Sequence, residues 1–395
     1  MTVTRWSTRR WLLLILLGAL LARLGFLALF GSTLSLQASG YDTYAVNVLS
    51  GHGYTRYDDR AADSDLPPLY VLVLIGIYTV LGRSALAVAL VQTGCDLLII
   101  TLIYAIGRRV FPKRPAVALL GAAFTAFYPY LLFQDLSVND TAIFVLLLAA
   151  GVWGAYRAGA SDDVAVRTHA VSLQHTGPLR SVSWRSDFLW PAFVGLMFGL
   201  AALTKTVVVL VVPGLALWWW WRAGFRRAAL ATAVALAVLA LVLLPWVIRN
   251  STLHGALVLT STNDGSNLHQ GNNPCAADYL ANGWDVQWID CYPPMPDGLT
   301  ELEESQWHRE QALAWLAANP DQWLRLFGQK FLTLWNPQIT PYRVPPPEAL
   351  SGSALVDAAV YQYETPAFQL ARTVHVLYFT PLLILGVLGW IAAAR

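Results

Sequence analysis

The sequence predicts an all-α polytopic membrane protein, and three observations carry that reading. Only 13% of the 395 residues are charged while 56% are hydrophobic, against about a quarter charged in a soluble domain. Apolar runs recur along the chain at lengths near the roughly 20 residues that a bilayer crossing needs. Basic residues cluster between those runs, as they do at the cytoplasmic ends of spans. The formal net charge is only +2 with the signs mixed, so there is no basic footprint for a polyanion, and nucleic acid is not an expected partner.

Arg5, Arg9 and Arg10 precede a first apolar run over 11–30. That run is too long for the core of a signal peptide, and 34–39 offers no small-x-small cleavage signal. It reads as a retained span with a cytoplasmic N-terminus. A polar loop, 31–66, follows. Further apolar segments lie at 67–81, 85–106, 115–133, 141–156, 189–203, 206–221, 228–248 and 373–394. Between the last two is a polar stretch in which apolar residues recur with helical period from Trp307 to Phe327. Asn319-Pro320 breaks that period, which predicts two consecutive helices. Trp284, Trp288, Trp307, Trp315, Trp323 and Trp335 suit a domain resting at the membrane interface.

Basic clusters at 108–114, 157–185 and 222–227 mark cytoplasmic ends. The loop 31–66, the stretch 135–140, the turn at Thr204–Thr206 and the segment from 250 to about 372 then fall outside. The expected organisation is a transmembrane module over 1–249 that includes the first loop, an extracytoplasmic, mainly helical soluble domain over 250–372, and a C-terminal transmembrane helix over 373–395. One conflict arises: an outside loop 31–66 and an inside cluster 108–114 require an odd number of crossings, yet two apolar segments separate them. The segment 67–81 is short and opens on Pro-Pro, so it reads as re-entrant or broken; the alternative places 108–114 outside.

The polar groups that a bilayer makes expensive gather at a few points. Asp42 follows the first span, where it reads equally as a general base toward a hydroxyl or as a helix N-cap. Asp140, at the start of 141–156, faces the same side and reads as a second site carboxylate or again as a cap. Lys205 interrupts an apolar hairpin. It calls for a partner, whether a lipid-linked phosphate or a carboxylate on a neighbouring span, unless it snorkels from the hairpin tip. Arg249 is the other candidate phosphate ligand, with a snorkelling anchor as its plain alternative. Arg23 and Asp96 lie within spans, where an ionisable group is a functional suspect by default; their plain alternative, and the favoured one, is a structural role in which Asp96 pairs with Arg23. Asp58, Asp59, Asp63 and Asp65 form an acidic loop that lacks the ligand spacing of a calcium site, and His254, His269 and His308 have no metal-ligand spacing. Cys95 lies in an apolar run, whereas Cys275 and Cys291 share the outer segment, where a disulfide is expected.

Taken in order, these motifs carry a family resemblance: Tyr41-Asp42-Thr43-Tyr44-Ala45, Pro67-Pro68-Leu69-Tyr70, Gly107-Arg108-Arg109-Val110-Phe111, Asn139-Asp140, Leu203-Thr204-Lys205, Pro245-Trp246-Val247-Ile248-Arg249-Asn250 and Gly271-Asn272-Asn273-Pro274. The late Asn319-Pro320, Lys330 and Leu334-Trp335-Asn336-Pro337 extend it. In this order the chain resembles the GT-C membrane glycosyltransferases, specifically the family 39-like branch that holds bacterial protein O-mannosyltransferases and lipid A aminoarabinose transferases. The resemblance implies a GT-C-like helix bundle in the cell (inner) membrane, an extracytoplasmic active site, and inverting transfer of a sugar from a polyprenyl-phosphate donor to a hydroxyl acceptor. It implies Asp42 as the catalytic carboxylate, Asp140 as a second acidic residue and Lys205 as a ligand of the donor phosphate; Asn139 departs from the commoner pattern before that second acid. The acceptor is undefined, and no cofactor is specified beyond a divalent metal that is left open. A lipid-linked glycan polymerase or ligase is the rival enzyme. A transporter of lipid-linked sugars is the rival without catalysis, and it would need polar groups at mid-membrane, where only Arg23, Gln92 and Asp96 qualify.

Overall fold

The computed structural model of the chain describes residues 7–31, 34, 36, 40–56, 62–134, 138–158, 188–284, 295–338 and 366–394. Every regular element among them is helical. They divide into two compact units, one comprising residues 1–127 and 131–260, the other 128–130 and 261–395.

The first unit contains α1 (Thr8–Phe30), α2 (Tyr41–Leu49), α3 (Pro68–Leu81), α4 (Ala85–Val110) and α5 (Pro115–Ala126). After the short α6 (Pro129–Gln134) come α7 (Thr141–Ala158), α8 (Trp190–Ala202), α9 (Val211–Ala223) and α10 (Phe225–His254). Each apolar segment of the sequence is thus a helix. Including a late helix of the second unit, six helical segments among the described residues are long and apolar enough to cross a membrane, whereas α3, α5 and α8 are shorter. All three short ones have proline inside their first turn, where the missing N–H costs nothing.

The segment at the centre of the crossing conflict is α3. Its 14 residues rise only about 21 Å, less than the roughly 30 Å of hydrocarbon. At its start, the Leu69 amide donates to the Leu203 carbonyl at 2.9 Å and the Tyr54 hydroxyl donates to the carbonyls of Leu66 and Pro67. At its end, Tyr78 and Arg83 reach Asp42 of α2. α3 therefore packs along the nine-residue α2, its start tied to Leu203 and Tyr54 and its end, from which α4 sets off, to Asp42. The far end of α4 meets the far end of α7, where Arg109 Nε donates to the Tyr156 carbonyl at 3.0 Å. Trp219 of α9 donates to the neighbouring Ala155 carbonyl. The basic residues Arg109, Arg157 and Arg222 thus collect at one end of the bundle and the described part of the first loop at the other, which is the sorting the charge pattern predicts.

Close approach of backbones holds the bundle together. α8 packs along both α7 and α10, and a Cβ at Gly195 would fall on the Ala235 carbonyl, while one at Gly199 would lie 2.8 Å from Val242 Cβ. Phe198, Val194, Ala201 and Ala202 fill the seam around these glycines. Between α1 and α4, Arg23 and Asp96 are almost fully buried and pair as expected, with Nε and Nη2 donating to Asp96 Oδ2 at 3.0 and 2.5 Å. The remaining Arg23 nitrogen donates to the carbonyls of Ala126 and Ala19, so the cation is satisfied on all sides. Gln92 accepts from the Tyr70 hydroxyl at 2.6 Å.

The second unit holds α11 (Asp264–Gly271), α12 (Pro274–Asn282), α13 (Glu301–Ala318), α14 (Pro320–Trp335) and the long apolar α15 (Pro366–Ala394). Thr300 and Glu303 form a reciprocal capping box at the start of α13. Asn319-Pro320 separates α13 from α14, where the sequence predicted a break. α11 packs on α13 and α12 on α14. At the first of these contacts, His269 and His308 share a hydrogen between Nδ1 atoms 2.8 Å apart. Lys330, pushed down from its ordinary pKa by burial, donates to Asn272 at 3.0 Å. Cys275 is disulfide-bonded, while Cys291, its expected partner, lies outside the described residues.

Candidate active site

Two buried carboxylates stand at the loop end of the first unit. Asp42 is the second residue of α2, whose cap position is Gly40 in the left-handed region (φ 72°), and its side chain makes no capping bond. The carboxylate instead turns to α3 and the turn after it. Arg83 grips it as a fork, Nε to Oδ1 at 3.0 Å and Nη2 to Oδ2 at 2.6 Å, and the Tyr78 hydroxyl donates to Oδ1 at 2.7 Å. Asp42 is buried, whereas the Arg83 side chain is 48% exposed. The Asp42 hydrogen bonds hold the Arg83 guanidinium above its ordinary pKa.

Asp140 likewise does no capping. The Asn139 side chain accepts from the Thr141 amide and takes that duty at the start of α7, which gives the departure from the family pattern a local purpose. Asp140 Oδ1 pairs with Lys205 Nζ at 2.8 Å, and Oδ2 accepts from the Tyr41 hydroxyl at 3.2 Å. Lys205 sits where α8 has ended and a 3-10 turn (Thr206–Leu210) begins, so the break in the apolar hairpin is what brings it to the face. It too is partly exposed, at 41% against 6% for its carboxylate. Tyr41 joins the two pairs, being chain neighbour of Asp42 and hydrogen-bond partner of Asp140. Burial, then the Asp140 charge, raises its pKa and keeps the phenol a donor.

Asp42, Asp140 and Lys205, all read from the sequence, are thus brought together. Arg249 is placed differently. Its guanidinium donates to the Asp63 carbonyl at 2.6 Å, to Ser64 Oγ at 2.9 Å and to the Tyr54 carbonyl at 3.3 Å, and it lies over the Trp246 and Tyr54 rings. Buried Ser64 is also held by Asn250 and His254 of α10. Arg249 therefore anchors the first loop to the helix bundle. Asp63 accepts from Tyr44 at 2.5 Å and from the Arg56 amide, and burial together with that bond raises the Tyr44 pKa.

Arg83, Tyr78 and Tyr41 were missed in reading the sequence. The signal for Arg83 was present: it is a lone arginine between two apolar segments, outside every basic cluster, on the face that carries the acidic residues. No group of three or more His, Cys, Asp or Glu side chains converges among the described residues; Asp58 and Asp59 fall outside them. Of the polar groups within the apolar segments, Arg23 pairs with Asp96 and donates to backbone carbonyls, and Gln92 pairs with Tyr70.

The arrangement consists of two carboxylates, each held by a half-exposed cation, on one face of a membrane bundle. It provides a proton acceptor and positive charge for a departing anion at the same place. A family described as dolichyl-phosphate-mannose-protein mannosyltransferase matches residues 65–166, about a quarter of the chain, spanning α3 to α7 with Arg83 and Asp140. This match supports a glycosyltransferase of the GT-C type. Neither curated proteins nor solved structures give a match.

Proposed function

We propose that the protein transfers a sugar from a polyprenyl-phosphate donor to a hydroxyl acceptor on the extracytoplasmic face, with inversion at the anomeric carbon. The observation that carries this reading is the pair of carboxylate–cation couples, Asp42–Arg83 and Asp140–Lys205, joined through Tyr41.

In this reading Asp42 takes the proton of the acceptor hydroxyl as its oxygen bonds to the anomeric carbon. The bond from that carbon to the phosphate oxygen breaks, and the electron pair leaves with the lipid phosphate. An Asp whose oxygens are occupied by a bidentate guanidinium is a poor base. Arg83 must therefore let go, and its exposure permits that. The donor phosphate offers the guanidinium a competing anion, so donor arrival would free the base and place a second cation beside Lys205 at the leaving group. Asp140 and Tyr41 hold Lys205 in position until the phosphate arrives, and Arg249 acts indirectly by fixing the first loop.

The test is sugar transfer by membranes carrying Asp42→Asn, supplied with a panel of polyprenyl-phosphate sugars and followed by mass analysis of the acceptors. Turnover is expected to fall by about 10²–10⁴-fold, the range for loss of a positioned general base, with expression and donor binding retained. Unchanged turnover would remove Asp42 from the chemistry.

A further inference from the structure

The opposite, basic end of the first unit holds a feature that sugar transfer does not use. Arg157, in the last turn of α7, lies over two indole rings, 4.9 Å from the Trp153 centroid and 5.4 Å from that of Trp190. The two rings meet edge to face at 5.1 Å and 88°. Among the described residues nothing accepts from its five N–H donors, so its plane is clamped while its hydrogen-bonding edge stays open. Arg109 is bonded to the carbonyl of Tyr156, the residue before it, and is close enough to feel the Arg157 charge. The Tyr156 ring packs edge-on against Trp218 at 4.9 Å, and Arg222 covers that indole. The acidic residues described in this unit are Asp42, Asp63, Asp65, Asp96 and Asp140; none lies at this end.

Among the described residues, two guanidinium groups are thus held together against their repulsion without a carboxylate between them, and aromatic rings wall them at the end of membrane-spanning helices. A planar fork that is positioned, and unpaired among the described residues, suits a phosphate oxygen pair. Indoles at a span end lie at headgroup depth. We infer that Arg157 and Arg109, framed by Trp153, Trp190 and Trp218, form a binding site for the phosphate headgroup of an anionic phospholipid in the leaflet opposite the carboxylate site.

The test uses the full chain reconstituted in phosphatidylcholine vesicles that carry spin-labelled phosphatidylglycerol or spin-labelled phosphatidylcholine as a minor component. The motionally restricted fraction of each label gives the lipid selectivity. Wild type should favour phosphatidylglycerol. Arg157→Gln and Arg109→Gln should each lower that preference about fivefold, the factor for one basic residue at an anionic surface. Arg226→Gln/Arg227→Gln, at the same end but outside the cluster, should leave it within twofold. Because Arg109 also ties α4 to α7, Trp153→Leu serves as a second probe that keeps every charge and should still weaken the preference. No preference in wild type would overturn the site, as would an equal loss in the Arg226/Arg227 variant, which would reveal diffuse attraction. Displacement of the label by inorganic phosphate at constant ionic strength would overturn the lipid as its occupant.

Discussion

Replacing Arg83 by Gln separates a clip from a working part. The change removes two charge-assisted hydrogen bonds to Asp42, at 3.0 and 2.6 Å, and leaves the Tyr78 hydroxyl at 2.7 Å as its remaining partner there. Such bonds contribute about 1.5–3 kcal/mol each when sheltered. Here the guanidinium is 48% exposed, so water competes and the loss of stability should be only about 1–2 kcal/mol. The effect on turnover should be larger. A cation that stabilises the departing phosphate contributes as an oxyanion donor does, about 10²–10³-fold in rate. The assay pairs sugar transfer from a polyprenyl-phosphate donor with thermal unfolding of the same preparation. Arg83→Lys should recover part of the rate, since it keeps the charge and loses the fork. Wild-type turnover in Arg83→Gln, with only the melting temperature lowered, would show that Arg83 merely holds Asp42 and would refute its part in the chemistry.

Three further outcomes are expected. Lys205→Ala should raise the KM for donor well above any change in the KM for acceptor, and equal effects on both would count against a phosphate role. Arg23→Leu or Asp96→Asn should each cost about 3–5 kcal/mol by stranding a buried charge or its donors, whereas the double replacement by apolar residues should recover most of it; chemical denaturation in detergent measures both. Burial lowers the pKa of His269 and of His308, the neighbouring imidazole adding to the effect at His269 while Glu304 opposes it at His308. A histidine depressed in the fold binds its proton more readily when unfolded, so its contribution to stability is intact above the ordinary pKa near 6.5 and is lost as pH falls through the folded value. Melting of the full chain should therefore drop more steeply below pH 6.5 in wild type than in His308→Gln, and parallel curves would remove the pair as the cause.

Much of the fold was legible because bilayer physics writes itself into composition. A run of twenty apolar residues has few alternatives, and basic clusters sort its ends. Asp42, Asp140 and Lys205 were legible for the same reason, since polar groups beside apolar runs are conspicuous. Their partners were not. Arg83 and Tyr78 are ordinary residues at a helix end, and only the return of α3 to α2 brings them to Asp42. That return depends on Pro-Pro and a 14-residue length, which suggested an irregular segment without saying where it went. Arg249 reads from the sequence as a phosphate ligand or a snorkelling anchor, because an arginine at a span end is a cation at headgroup depth. Its engagement by the first loop comes from contacts nearly 200 residues apart in the chain, with Tyr54, Asp63 and Ser64, which no local pattern reveals.

The glycine seam of α8 decides how the site can move. With Gly195 against the Ala235 carbonyl and Gly199 against Val242, α8 has no clearance to slide or rotate beneath Lys205 without colliding with backbone. The pedestal is rigid, so adjustment to a substrate has to come from the long side chains around it. Arg83 and Lys205 swing on three- and four-carbon tethers within nanoseconds, whereas helix displacement takes microseconds or longer. A catalyst organised this way has its fast parts at the reacting atoms and its slow parts immobile, so its pace should be limited by the arrival and departure of lipid chains and not by rearrangement of the helices.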